Sequence, residues 1–331
     1  MRLIDIAVFV AAATFSASAL SQTRSGGTMA FLDVPQVTRL VGAGGLHATG
    51  CETSPSMVFH NPACVNDTSS GVIGLTVTPV ADGIKYASTA YSHNIDRLGT
   101  LTAGLLYVGY GDFTRTDEEG AELGRFTANE GALYLSLSKQ MAPWLTLGAT
   151  FKPIFSKLAD YTSFAMAMDF GANVVKADGR LSIGLTLSNA GAIVKRYSND
   201  DTRKPLPTDL RIGLAYKAEH APFRFLLTLK DLTEWDLTTS GRKNSFGDNL
   251  LRHTLIGLEF APVRAFYLTF GYDHRRRKEL TDDDAGGMAG FAWGAGLNVA
   301  KISVQYAHNR YHEAGSLNSI TLSTNWRRWI R

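Results

Sequence analysis

The sequence predicts an all-β chain: a transmembrane outer-membrane β-barrel of about 14 antiparallel strands behind an N-terminal plug-like segment. Three observations predict it. Apolar residues alternate with small or polar ones through most of the chain after residue 70. The joins between these runs alternate between short and long, as when tight turns face one side of a membrane and long loops the other. The N-terminus has the form of a secretory signal peptide.

Composition agrees. Of 331 residues 45% are hydrophobic and only 19% charged, while 32 are glycine, a balance that suits strands and turns. The net charge of +3 is too small to argue for nucleic acid, and no basic stripe with interleaved aromatics supports it.

The opening "MRLIDIAVFVAAATFSASALSQ" carries Arg2, an apolar stretch from Ile6 to Phe15 and a small-residue region ending Ala19-Leu20-Ser21. This assigns residues 1–21 to a signal peptide cleaved before Gln22, with Asp5 slightly atypical. The apolar run falls short of the roughly 20 residues that span a bilayer as a helix. No Cys follows the cleavage region, so a lipid anchor is not expected there. Cys51 and Cys64 could pair in an oxidising compartment, closing one short loop; two free thiols are the alternative. The absence of a C-x-x-C motif removes redox and zinc readings, and neither a metal nor a cofactor is expected.

The strand pattern is clearest in "RLSIGLTLSN", residues 180–189, where Leu181, Ile183, Leu185 and Leu187 oppose Ser182, Gly184, Thr186 and Ser188. Leu133, Leu135 and Leu137 alternate likewise with Tyr134, Ser136 and Ser138, and Phe266, Leu268, Phe270 and Tyr272 with Tyr267, Thr269 and Gly271. The runs are near the 9–11 residues, roughly, that a tilted membrane strand needs. Short joins include "IDRLG", "MAP", "KADG", "EHAP" and "PVR"; the long ones cover 112–129, 190–208, 232–250 and 275–288. One lapse is "VADG" in the first hairpin, short where a long loop is due. A soluble sandwich or a periplasmic ligand-carrying barrel would share the alternation but has no reason to gather long joins at one end. Tyr107, Tyr110, Trp144, Trp235, Trp326 and Trp329, at strand ends, are expected to form interfacial girdles. The barrel is assigned residues 71–331. Residues 22–70, containing "GLHATGCETSPSMVFHNPACVND", break the alternation and predict irregular structure with one short helix, placed in the periplasm or in the lumen.

Catalytic patterns do not assemble. "SLSK" at Ser136–Lys139 has the Ser-x-x-Lys of penicillin-recognising enzymes, but in a strand its ends face opposite ways, and the partner elements are missing. "HNRYHE" separates His308 and His312 by about 13 Å in a strand, too far for one ion. Asp112, Asp117, Glu118 and Glu119 in one loop, and Arg275, Arg276, Arg277 and Lys278 in another, read as solvated tips. The sharper reading has the basic run pair with lipopolysaccharide phosphates.

Several stretches carry a resemblance. "AFLDVPQVTRLVGAGG", "VFHNPACV", "LYVGYGDFTRTDEEGAELGRFTANEGALYLSLSKQ", "KPIFSKLADYTSFAMAMDFGAN" and "KPLPTDLRIGLAYKAEHAPFRFLLTLKDLTEWDL" resemble the PorQ family of the type IX secretion system. Asn61-Pro62-Ala63 is similar to the Asn-Pro-Ala element of the long-chain fatty acid transporter FadL and of PorV, both 14-stranded barrels. The resemblance implies a non-enzymatic, integral component of the Gram-negative outer membrane, in contact with its lipid and lipopolysaccharide. It would hold a PorZ-type protein at the surface beside PorU- and PorV-type components, for cargo export and attachment. It implies that Asn61, Pro62 and Ala63 lie inside the barrel. Candidate partner contacts are Asp117, Glu118, Arg196, Tyr197, Trp235, Arg276 and Arg277. The alternative is a FadL-like channel for hydrophobic small molecules, against which the small or polar inward residues Ser182, Gly184, Thr186, Asp169 and Asn298 weigh mildly. The final "NWRRWIR" departs from the terminal aromatic that many barrels present for insertion.

Overall fold

Ile183 and Leu185 are each 44% exposed, while Gly184 and Thr186 between and beside them are buried. In a cylinder that contrast has one meaning: the leucine face is the outer wall and the small face is the lumen. The computed structural model describes residues 28–80, 83–117, 121–198, 205–237, 245–279, 288–312 and 315–329. The signal-peptide stretch and Glu118 lie outside the described residues.

Fourteen strands close into one antiparallel barrel, each beside its neighbours in sequence, with the first paired to the last. They are β1 (Val72–Pro79), β2 (Lys85–Ile95), β3 (Gly99–Thr116), β4 (Glu122–Ala142), β5 (Leu145–Leu158), β6 (Tyr161–Val175) and β7 (Leu181–Lys195). The remainder are β8 (Asp209–Lys217), β9 (Phe223–Leu229), β10 (Thr254–Val263), β11 (Phe266–Asp273), β12 (Phe291–Val299), β13 (Ile302–His312) and β14 (Gly315–Asn325). Closure pairs the wall's backbone groups along every seam, the condition for a sheet in hydrocarbon. No described helix is long and apolar enough to cross a membrane.

Tight turns gather at one end, called inner here: Ala142 to Leu145, Val263 to Phe266 and Val299 to Ile302. The outer end carries the longer joins between β7 and β8, β9 and β10, and β11 and β12. These include α1 (Phe246–Arg252) and α2 (His274–Glu279). The expected loop 112–129 is corrected: β3 with 18 residues and β4 with 21 run through most of it as a raised hairpin. Above the lipid there is no oil to sort the two faces, so polar residues such as Thr114 and Arg125 extend the ladder without alternation. The 190–208 join also starts later than expected, because β7 continues to Lys195. Strands β5 to β7, at 14–15 residues, share the raised wall, whereas β8 to β14 keep to 7–11.

Tyr107, Trp144, Trp326 and Trp329 are exposed on the outer wall or its rims. Tyr110 is not a girdle residue: it turns inward and its hydroxyl donates to Glu130 Oε2 at 2.5 Å. Ser136 is buried and Lys139 exposed, on opposite faces of β4. His308 lies against Trp293, with ring centroids 5.9 Å apart.

Replacing Leu185 by Arg at mid-wall is expected to cost about 2–4 kcal/mol of barrel stability. Urea unfolding in lipid vesicles measures it; an unchanged midpoint would contradict a lipid-facing side chain.

Candidate functional site

The site is built by residues 28–71, which pack inside the ring of strands. Proline and paired glycines keep this stretch from forming long helices. It contains α3 of five residues (Thr38–Gly42) and short 3₁₀ turns at Ala30–Asp33, Pro55–Phe59, Pro62–Cys64 and Asp67–Ser69. Three of those turns are started by a side chain accepting from the backbone two residues on: Ser54 from Ser56, Asn61 from Ala63, and Asn66 from Thr68. Pro55 and Pro62 follow two of these caps, where a missing N–H loses nothing. Cys51 and Cys64 are joined in a disulfide, Cα–Cα 5.0 Å, which closes the loop after α3 that contains the Asn-Pro-Ala turn.

This segment touches the wall backbone to backbone, and glycine makes that possible. A Cβ on Gly271 would lie 2.1 Å from the carbonyl carbon of Ala43, and one on Gly184 2.2 Å from Ala48 O. On Gly148 it would meet the Pro62 carbonyl carbon at 2.5 Å, and on Gly171 the Asn61 Oδ1 at 2.0 Å. These glycines lie in register on neighbouring strands: Gly148 opposite Gly171, Gly184 opposite Gly213, and Gly257 opposite Gly271. Together they form a belt around the lumen where the chain approaches closer than any side chain allows.

Asn61, Pro62 and Ala63 are seated on that belt between β5 and β6. Asn61 Oδ1 accepts from Ala63 N at 2.9 Å, and its Nδ2 donates to Ala48 O at 2.7 Å, so one side chain holds two turns of the segment together. His60 Nε2 accepts from the backbone N–H groups of Gln36 and Val37 at 3.2 and 3.3 Å, satisfying donors at the start of α3. His47 bridges Ala43 O at 2.8 Å and Thr228 Oγ1 at 3.0 Å. Near the inner end Arg39 grips Glu259 through Nε and Nη2, both at 2.6 Å, and lies 4.2 Å above the Tyr267 ring. Arg224 Nη2 shares the same carboxylate at 2.7 Å, and Glu52 is 3.5 Å from Arg39. Breaking such a buried set by removing one member typically costs about 3–5 kcal/mol, since a charge is left without its partner.

Around the segment the lumen has two unlike halves. Beneath the raised wall, Leu106, Val108, Ala132, Ile154 and Ala165 pack with Met29, Phe31 and Leu32 in one apolar cluster. Val80, Ile84, Tyr110 and Ile193 extend it toward the outer end. Across the lumen, on β8 to β11, the wall is charged and paired, with Arg211–Asp209 at 3.0 Å and Lys230–Asp273 at 2.6 Å, while Lys152–Asp169 at 2.6 Å stands on β5 and β6 beside the apolar cluster. Of the inward polar residues read from sequence, Thr186 on β7 and Asp169 on β6 are buried, while Asn298 is exposed near the inner rim.

The loop candidates do not come together as one patch. Asp117 accepts from Ala121 N at 2.7 Å and closes the β3–β4 turn. Tyr197 bonds Ser156, and the neighbouring Arg196 is exposed. Trp235, 42% exposed, stacks on His253 at 4.9 Å and packs at a tilt against Phe246 at 5.4 Å. The basic run is turned inward in part: Arg275 pairs with Asp231 at 3.2 Å and Arg276 with Asp273 at 3.1 Å, while Arg277 is half-buried in α2. The paired two are drawn toward luminal acids, so their place is not among lipid phosphates. Missed at the level of sequence were the belt glycines, whose signal was a repeated apolar-Gly step in "SIGLTL", "RIGLAY", "LIGLEF" and "TLGATF".

No family model and no curated protein sequence matches the chain. Solved structures do. The Ralstonia pickettii toluene transporter TbuX aligns over 88% of this chain and 98% of its own, at 12% identity and a TM-score of 0.53. The Pseudomonas putida toluene transporter TodX aligns over 88% and 97%, at 13% identity and a TM-score of 0.53. A Pseudomonas aeruginosa FadL homologue aligns over 88% and 98% at 11% identity, with a TM-score of 0.46. At these identities the likeness to the toluene transporters is one of fold, a closed antiparallel barrel, here of fourteen strands.

Both buried imidazoles are neutral in the docked segment. Burial pushes His47 down to about 4, against the opposing pull of its bond to Ala43 O and with Arg224 and Lys230 adding to the depression. Burial likewise holds His60 well below its ordinary value, helped by Arg211 and His47. Above about pH 6.5 docked and released forms are both neutral, and the contribution is complete. As pH falls from there toward 4 the released segment gains protons that the docked one refuses, so docking weakens. Protease cleavage within residues 28–71 is expected to rise at pH 5 relative to pH 7.5 while the barrel stays folded. Equal cleavage at the two values would contradict the assignment.

Proposed function

We propose that the chain is a non-enzymatic, integral outer-membrane barrel that admits a hydrophobic solute from its outer end, with residues 28–71 as the plug across the route. The observation that carries this is the divided lumen. The apolar side of the lumen, where Val80, Ile84 and Ile193 pack onto the cluster that holds Phe31 and Met29, gives an oily solute a surface on which to partition, and the β8–β11 side carries paired charges. The fold shared with two toluene transporters supports the same reading.

A second reading keeps its own support. The resemblance to PorQ, with Trp235 and Arg196 exposed at the outer end, favours a barrel that holds a PorZ-type surface protein beside PorU- and PorV-type components of a type IX secretion system. In that role the lumen needs only to be sealed, and the segment seated on glycines would do so permanently.

One pair of measurements separates them. Purified protein in detergent is offered oleate and toluene as probes, alongside Val108→Asn, which puts an amide into the apolar half. Retention by the wild type, strongly reduced in the variant, is the expected result. No retention, together with a surface protein that co-purifies and is shed into the medium when the gene is deleted, overturns the channel and supports the anchor.

A further inference from the structure

The outer face of the raised wall changes character in steps along β3 to β7. Exposed Leu133 and Met166 belong to the apolar belt, and above them stand Tyr107, Phe155 and Phe164, with the two phenylalanine rings 4.8 Å apart. The next level outward is cationic. Lys157 lies opposite Thr162 and Asn129, and Lys195 lies opposite Phe164 with its Nζ 2.7 Å from Thr162 Oγ1. Higher still are Arg115 and Arg125 on the β3–β4 hairpin.

These groups line two adjoining clefts. One, of about 440 Å³, combines Tyr107, Phe155 and Phe164 with Lys157 and Lys195. The other, of about 370 Å³, has Arg115, Arg125 and Lys157 in its wall. Lys157 therefore belongs to both. The acids lining them are Asp160, which pairs with Arg115 at 2.6 Å, and Glu130, whose carboxylate is held by Tyr110. The remaining cations face outward at the height where a lipid head group begins. Lys157 on β5 and Lys195 on β7 are two strands apart, about 10 Å between backbones, and the Lys195 side chain reaches over the strand between them toward Lys157.

We propose that this face binds lipopolysaccharide through the lipid A moiety. Its acyl chains lie on Leu133, Phe155, Phe164 and Met166, and its two phosphates reach Lys195 and the Lys157–Arg125 pair. Charge-assisted contacts from Lys and Arg suit phosphate oxygens, and the aromatic step suits the boundary between chains and sugar. The inference rests on the outer-membrane setting and on neither reading of the lumen. It also moves the lipopolysaccharide contact from the 275–278 run to the opposite side of the barrel.

The test uses the purified full-length protein in detergent and native mass spectrometry with three probes: bisphosphorylated lipid A, the same lipid with both phosphates removed, and phosphatidylglycerol. The wild type is expected to bind the first at least about tenfold more tightly than either other lipid. Lys157→Gln combined with Lys195→Gln is expected to remove about that same factor, with unchanged heat-modifiable migration reporting an intact barrel. Equal binding of phosphatidylglycerol or of the dephosphorylated lipid overturns the proposal, as does a double variant that binds lipid A like the wild type. The three-lipid comparison on the unaltered protein decides the question should the double variant not insert.

Discussion

The structure depends on one constraint: a stretch of irregular chain must lie against the inner wall of a closed sheet with no side chain between them. Gly148, Gly184, Gly257 and Gly271 meet it, facing backbone atoms of Pro62, Ala48 or Ala43 at distances a Cβ would forbid, and Gly171 leaves the same room for the Asn61 side chain. Glycine weakens a strand by its freedom when unfolded and by the contacts it lacks. Here those contacts are restored by the segment itself, so wall and segment each complete the other's packing. The outward neighbours of the belt residues, such as Ile183 and Leu185, remain large because they answer to a different solvent. A single strand thus carries two requirements, oil outside and backbone inside, on alternate residues.

The barrel's asymmetries coincide. Strands β3 to β7 are the long ones, and beneath them on the luminal side is the apolar cluster of Leu106, Val108 and Ile154. On their outer side are the aromatic and cationic steps above the lipid belt. Strands β8 to β12 are short, carry the two outer-end helices, and place their charge inside as Arg211–Asp209, Lys230–Asp273 and Arg275–Asp231. The polar inner-end cluster of Arg39, Glu52, Arg224 and Glu259 joins the segment to this second half. The apolar cluster is gathered under β3 to β7 and most of the luminal charge under β8 to β11, with the Asn-Pro-Ala turn and the Lys152–Asp169 pair both on β5 and β6.

Much of this was legible in the residues. Period-two alternation and the gathering of long joins at one end are direct consequences of a closed sheet in lipid, and they found fourteen strands. The alternation faded where its cause did: from Asp112 to Thr127 both faces of the β3–β4 hairpin meet water, so a strand there looked like a loop. Tyr110 looked like an interfacial aromatic because position along a strand says nothing of Glu130 across the ladder. Arg276 looked exposed for the same reason, since its partner Asp273 lies at the end of the preceding strand but faces the lumen. The belt glycines were read as one more small inward residue. What distinguishes them is the backbone opposite, which belongs to a segment more than a hundred residues away for most of them, and no local pattern encodes it.

The central claim is that residues 38–65 are seated on the wall as firmly as the wall is on itself. Hydrogen–deuterium exchange of the full-length protein in lipid nanodiscs reads this most directly, with Gly271→Val as the comparison because its side chain must displace Ala43. The account predicts that amides of α3 and of the Asn-Pro-Ala turn exchange on the slow timescale of the strands in the wild type, and that the substitution speeds α3 while leaving the barrel protected. Fast exchange of the segment in the unaltered protein, or a variant indistinguishable from it, would contradict the account.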